Sequence, residues 1–176
     1  MSSKRKYELK ARAQKQAETR QRITEATVAL HEEVGPARTT VAEVARRAGV
    51  TRLTVYNNFP EERELFAACQ GHWLELHPPP RLDPSAGAEP LLRALYGWYR
   101  ETARMAENVR RDRATLPELD ALLRETADAQ TSALAQALGG GPLAALALDF
   151  WTWRRLEAEG LDDAEAAALM ADIISP

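Results

Sequence analysis

The stretch TTVAEVARRAGVTRLTVYNNF, Thr39 to Phe59, constrains the fold of this chain more tightly than any other segment. It reads as two short helices around a tight turn. Thr40 is placed to cap the first helix, and Glu43, three residues on, completes a capping box. Val41, Val44 and Ala45 give that helix an apolar stripe at helical spacing. Gly49 stops it, because glycine accepts the left-handed backbone that closes a helix. Thr51 caps the second helix, and Val55 and Phe59, four apart, supply its buried side. Arg52, Leu53, Thr54, Tyr56 and Asn57 remain as an outward set, polar but for one leucine. A helix, a glycine-containing turn and a second helix make a helix-turn-helix, whose second helix is the one that enters the major groove of DNA.

The rest of the chain reads as helix throughout, with no strand signal and no internal repeat. Residues 1–18 carry six Lys and Arg against two Glu, and from Tyr7 their composition favours helix. They predict a disordered tip and then a basic extension of the first helix. That helix continues to about Val34 on an apolar face of Ile23, Ala26, Leu30 and Val34, and Gly35-Pro36 stops it. His31 reads as a partly exposed helical residue. Pro60 opens a fourth helix reaching about His77. Five of the ten prolines fall within residues 78–90, which marks a boundary. Pro90 begins a helix to about Val109, apolar on more than one side and so expected at the centre of its bundle. Pro117 to about Leu138, Pro142 to Glu159 and Leu161 to Ile174 are the remaining helices, separated at Gly139-Gly140-Gly141 and Gly160. The expected architecture is all-α with about nine helices: a basic extension (1–18), a helix-turn-helix domain with a connecting helix (19–77), a Pro-rich linker (78–90) and a C-terminal helical domain (91–176).

Charge supports this division. The net charge of −3 conceals 12 Lys and Arg against 6 Glu in residues 1–58, and a strongly acidic remainder. A basic end on an acidic body suits a polyanionic partner at the basic end only. The single cysteine, Cys69, lies in an apolar helical segment and reads as a small buried hydrophobe, with no disulfide to suggest an oxidising compartment. No apolar run is long enough to cross a membrane, and no signal-peptide pattern opens the chain, so a cytoplasmic location is expected. His72 and His77 are five apart, not at the spacing of a helical metal pair. No catalytic constellation, metal site or cofactor motif stands out, so no enzyme, metal or cofactor is expected.

The run from Thr19 to about Trp73, with ARRAGV, VYNNF and EREL at the family's spacing, resembles the DNA-binding domain of the tetracycline-repressor (TetR) family of bacterial transcription regulators. The segment DFWTWRRLEAEGLDDAEAAALMADII is similar to the family's tail. One departure is clear: where the family often has a lysine opening the fourth helix, this chain has Glu61 and Glu62, with Arg63 the nearest basic residue. The resemblance implies a repressor that binds a palindromic operator in double-stranded DNA as a homodimer and is released by a small-molecule effector held in the C-terminal bundle. Tyr56 matches the family's phosphate-binding tyrosine.

The side-chain chemistry assigns roles within that frame. Arg52 suits guanine, Leu53 a thymine methyl, and Asn57 adenine or a phosphate. Thr40, Thr51, Thr54 and Tyr56 are hydroxyl donors for backbone oxygens, although Thr40 and Thr51 also serve as caps. Trp73, Tyr96, Tyr99, Met105 and Phe150 are the candidate lining of an effector pocket, and plain core is the competing reading for each. Gly71 and Gly97, inside helices, would leave room for a ligand or a close helix contact. Leu143, Leu146, Phe150, Trp153, Leu169, Met170 and Ile173 form the candidate dimer interface. The alternative function is a helical dimeric interaction protein whose DNA affinity is secondary.

Overall fold

The computed structural model describes residues 2–174, and among these every regular element is helical. The first helix, α1, spans Ser2–Val34. It is followed by α2 (Val41–Ala48), α3 (Arg52–Asn58) and α4 (Glu62–Leu76). The body comprises α5 (Ala88–Asp112), α6 (Pro117–Leu123), α7 (Ala129–Ala137), α8 (Gly141–Ala147), α9 (Phe150–Ala158) and α10 (Asp163–Ile174). A π-helical stretch, Arg124–Asp128, joins α6 to α7, so the two form one interrupted rod.

The boundaries depart from expectation where a polar side chain decides them. Helix α1 already begins at Ser2, where a disordered tip was expected. Pro90 lies inside the first turn of α5, a place where a missing N–H costs no hydrogen bond, so the linker is shorter than the prolines suggest. The helix expected over Pro142 to Glu159 is two helices, because Asp149 takes an extended backbone and its Oδ2 accepts the Thr152 N–H at 2.9 Å, capping α9. Asp162 caps α10 by accepting from the N–H groups of Ala164 and Glu165, both at 2.9 Å.

The helix-turn-helix has its own core. Ile23, Ala26 and Leu30 of α1 meet Val44, Ala45 and Ala48 of α2 and Val55 and Phe59 around α3. Val34 was expected on that face but stands exposed. A larger core fills the body around Leu92, Leu95, Tyr96 and Tyr99 of α5, with Phe150 and Trp153 of α9 and Ala167 and Met170 of α10. Both tyrosine hydroxyls reach backbone, Tyr96 donating to the Ala147 carbonyl and Tyr99 to the Leu148 carbonyl, each at 2.7 Å. A third cluster, Val28, Cys69 and Met105, joins α1, α4 and α5.

A polar clasp fastens the two parts. The last carbonyls of a helix run out of intrahelical partners; at the end of α1 the His31 carbonyl still accepts the Gly35 N–H at 3.0 Å, and side chains of α5 add to it and serve the rest. Asn108 Nδ2 donates to the carbonyls of His31 (3.0 Å) and Glu32 (2.8 Å), while Arg104 and Arg111 donate to those of Glu33 and Val34, both at 3.4 Å. Asp112 accepts the Ala37 N–H at 3.0 Å. Gly35 between them has φ +94°, and a Cβ there would stand 2.4 Å from the Asp112 carboxylate. Only glycine suits both the backbone and the space.

Candidate nucleic-acid interface and internal cavity

The turn between α2 and α3 follows its local chemistry closely. Thr40 Oγ1 accepts the Glu43 N–H at 3.2 Å, and Thr51 Oγ1 accepts the Thr54 N–H at 3.1 Å. Gly49 adopts the left-handed conformation at φ 66°, ψ 39°, and the Val50 N–H reaches back to the Ala45 carbonyl at 2.9 Å. This is a Schellman closure. The capping box is only half made: the Glu43 carboxylate turns to Arg46, 2.9 Å from its Nε, rather than to the start of its own helix.

Helix α3 is packed through Val55 and presents its other side to solvent. Leu53 is 68% exposed and Tyr56 54% exposed, with Arg52 and Asn57 open beside them. Thr51 is also open, Thr54 is half-buried, and Thr40 is exposed at the head of α2. The Thr51 and Thr54 hydroxyls are 2.8 Å apart. Much of the surrounding basic charge is committed to the fold. Arg20 donates to the Asn58 carbonyl and lies over the Phe59 ring, its Cζ 3.8 Å from the centroid. Arg22 donates to the Ala48 carbonyl at 3.1 Å, and Arg47 grips Glu33 with two bonds of 2.7 and 2.9 Å. Arg63, the basic residue nearest the position of the family's lysine, pairs with Glu125 of the π stretch. The side chains of Lys4, Arg5 and Lys6 in the basic extension lie outside the described residues, and those of Lys10, Arg12 and Lys15 are exposed.

Beneath this domain a cavity of about 360 Å3 opens between α1, α4, α5 and the α6–α7 rod. That is within the roughly 300–1,000 Å3 of small-molecule sites. Three of the expected residues, Trp73, Tyr99 and Met105, line it. Tyr96 and Phe150 do not; both are body core, where Tyr96 is held by its bond to Ala147. Gly71 and Gly97 are not part of the lining, and since a Cβ on each would meet nothing within 4 Å, no close helix contact depends on them either. The π stretch brings Thr126 and Ala127 to the wall, and the Thr126 hydroxyl accepts from Gln70 of α4 at 2.9 Å. Single π turns of this kind recur at functional sites.

His31 lines the same cavity and is 5% exposed, which corrects its reading as a partly exposed residue. Burial pushes its pKa down to about 4, against the opposing pull of Asp112, so the ring is neutral near pH 7. Burial likewise raises the Cys69 thiol to about 12, as suits a packing residue. The Tyr99 phenol is raised to about 12 by burial, opposed by the charge of Arg110.

Residues 23–69, from the middle of α1 into α4, match the model of the tetR family of bacterial regulatory proteins. That segment is a TetR-family DNA-binding domain. Over 52 residues it is 44% identical to HTH-type transcriptional regulators, themselves uncharacterised, of Mycobacterium tuberculosis and Mycobacterium bovis. That match covers 30% of this chain and 28% of each relative. In fold the chain is similar to a transcriptional regulator from Rhodococcus sp. Rha1, with a TM-score of 0.61 at 22% identity, over 88% of this chain and 92% of that one.

The TetR helix-turn-helix thus accounts for the part of the chain with the clearest motif. The C-terminal stripe divides. Phe150 and Trp153 are each 1% exposed and Met170 is buried with them, so these three, expected at a dimer interface, complete the protomer's own core. Leu143, Leu146, Leu169 and Ile173 stay exposed, each between 43% and 50%, and Trp151, which the apolar periodicity did not single out, joins them at 46%. Also missed in the sequence were His31 and Arg110 of the cavity wall. Thr24, Thr27, Val28 and His31 recur at helical spacing and form a second buried face of α1, a pattern that three polar side chains conceal in the sequence.

Proposed function

We propose that this TetR-family protein is a transcriptional regulator that reads DNA through α3, works as a homodimer on a palindromic operator and represses until an effector enters the cavity. The observation that carries the DNA reading is the open face of α3. Thr51 caps the helix and Val55 anchors its inner side, while Arg52, Leu53, Tyr56 and Asn57 stand open toward solvent. Arg52 can donate two hydrogen bonds to a guanine edge, and Leu53 can meet a thymine methyl. Tyr56, Thr51 and Thr40 are placed for phosphate oxygens, which set register rather than sequence.

One α3 reads only a few base pairs, so a two-fold partner is expected to double the site. The exposed row on α8, α9 and α10 supports that partner: Leu143, Leu146, Trp151, Leu169 and Ile173 form an apolar strip of the kind that closes a four-helix bundle across a dyad. The cavity supports the effector, since it touches α1 and α4 of the DNA-binding part and α5 of the body. Selection of bound sequences from a random DNA pool tests the proposal. A palindromic consensus is expected; recovery of no preferred sequence would refute it.

A further inference from the structure

Among the described residues, Arg110 is the one charged side chain that lines the cavity; His31 is neutral there, and no carboxylate contributes to the wall. Arg93 of the same helix also lacks a partner among the described residues but is exposed to solvent, and the remaining arginines of α5 are engaged. Arg100 pairs with Glu157 and Asp163, Arg111 with Asp112, and Arg104 donates to the Glu33 carbonyl. Arg110 has no carboxylate within 4.0 Å among the described residues. Its guanidinium lies over aromatic faces instead, Cζ 4.8 Å from the Phe150 centroid and 5.8 Å from that of Tyr99. Asp149, which shares this neighbourhood through Tyr99, is engaged as the cap of α9. Cation–π contact holds the group in place without neutralising it.

A second observation points into the same space. His31 is 95% buried, yet among the described residues neither ring nitrogen has a hydrogen-bond partner; its only ring contact of note is Phe66, with centroids 5.8 Å apart. A buried imidazole normally finds a partner for its N–H. The hydroxyls of the wall donate to their own helices: Thr102 to the Trp98 carbonyl, Thr126 to the Leu122 carbonyl and Thr131 to the Ala127 carbonyl. The donors left to face a ligand include the Arg110 guanidinium and the deeply buried His31 N–H, with the Gln130 amide and the Trp73 indole N–H also on the wall.

We infer that the cavity selects an organic anion: an apolar body, alkyl or aromatic, carrying one carboxylate that pairs with Arg110 and a further acceptor within reach of His31. The inference deepens the effector reading given above and rests on it. A cationic ligand would face an unopposed positive charge in an apolar enclosure, and a neutral one would leave the guanidinium without a charge partner. A carboxylate gives Arg110 the planar two-point partner that its fork fits.

Binding of decanoate and naphthoate, compared with the alcohols and amines of the same skeletons, tests this through the fluorescence of Trp73 and Trp98, which border the cavity. Each carboxylate is expected to bind at least about tenfold more tightly than its alcohol, with the amine weakest, as a charge-assisted pair in a poorly hydrated site requires. Arg110→Gln should abolish the preference for carboxylate while alcohol binding persists, and Arg110→Lys should restore part of it. Retained DNA binding by both variants reports that they are folded. Equal binding of all three head groups, or a carboxylate preference that survives Arg110→Gln, would overturn the anion inference and leave the effector cavity standing. No binding by any skeleton would overturn both.

Discussion

The two halves of the molecule offer unpaired polar groups to different kinds of partner. In the helix-turn-helix, the arginines near the surface are largely tied into the fold: Arg20 and Arg22 close the ends of α3 and α2, and Arg46 and Arg47 hold glutamates. What remains open lies outside, on α3. In the body Arg100, Arg113 and Arg154 are paired at the surface, while Arg110, without an ionic partner among the described residues, and His31, without a hydrogen-bonded one, face inward to a cavity. The difference separates a surface built to meet a large partner from an enclosure built to meet a small one. It also shows why net charge alone is a poor guide to a binding face: much of the basic excess around the helix-turn-helix stabilises helix ends.

That comparison can be broken most forcefully at the C-terminal stripe. Phe150→Glu places a charge in a closed core and is expected to cost more than about 4 kcal/mol, unfolding the protein. Leu146→Glu, on the exposed side of the same region, should leave the fold within about 0.5 kcal/mol of wild type while weakening the dimer. Thermal denaturation and sedimentation measured on both variants separate the roles. A folded Phe150→Glu monomer would reverse the assignment of inside and outside.

The next effect is acid sensitivity. The folded pKa of His31, about 4, is below its ordinary 6.5. Below pH 6.5 the unfolded chain takes up a proton that the folded chain refuses. Stability is therefore full above about pH 6.5 and declines as pH falls toward 4, by about 3 kcal/mol at most. Urea denaturation between pH 7 and 4.5 should show the decline, and His31→Gln should flatten it. An unchanged slope in the variant would mean that another group carries the acid sensitivity.

On the outer side, Arg52→Ala is expected to weaken operator binding by about 1–3 kcal/mol and to relax preference at one base pair. Identical behaviour of variant and wild type on operator and random DNA would remove Arg52 from the reading face. The smallest effect belongs to the basic extension. Deleting residues 1–18 should flatten the dependence of log K on log salt by roughly 0.9 for each phosphate left without its cation, with sequence preference unchanged. A constant slope would leave those residues as solvated helix.

What the sequence revealed, and what it hid, follows the range of the interactions involved. Thr40, Gly49 and Thr51 could be placed because caps act within four residues. The second half of the capping box could not, because Arg46 competes for Glu43 and the outcome depends on side-chain geometry. Asp149 acts just as locally and carried a signal, an aspartate before an apolar run, that the longer helical periodicity around it masked. The stripe of α8 to α10 was legible as apolar, but periodicity cannot say what covers an apolar face: Phe150 is covered by Tyr99 and Trp153 of its own chain, while Leu146 is left open. The cavity was least legible of all, since its unpaired groups come from α1 and α5, 79 residues apart in the chain as His31 and Arg110.

The clasp between α5 and the end of α1 has a mechanical consequence. Helix α1 is 33 residues long, a rod of about 50 Å at 1.5 Å per residue, gripped at one extremity. It behaves as a lever whose fulcrum is Asn108 and Asp112. A tilt of about 5° at the fulcrum would sweep its free end through about 4 Å, more than twice the ~1.7 Å of duplex axis that separates successive charges. If the basic extension follows the DNA backbone, a displacement too small to disturb the packing beside the cavity would be amplified to the scale at which phosphate register fails.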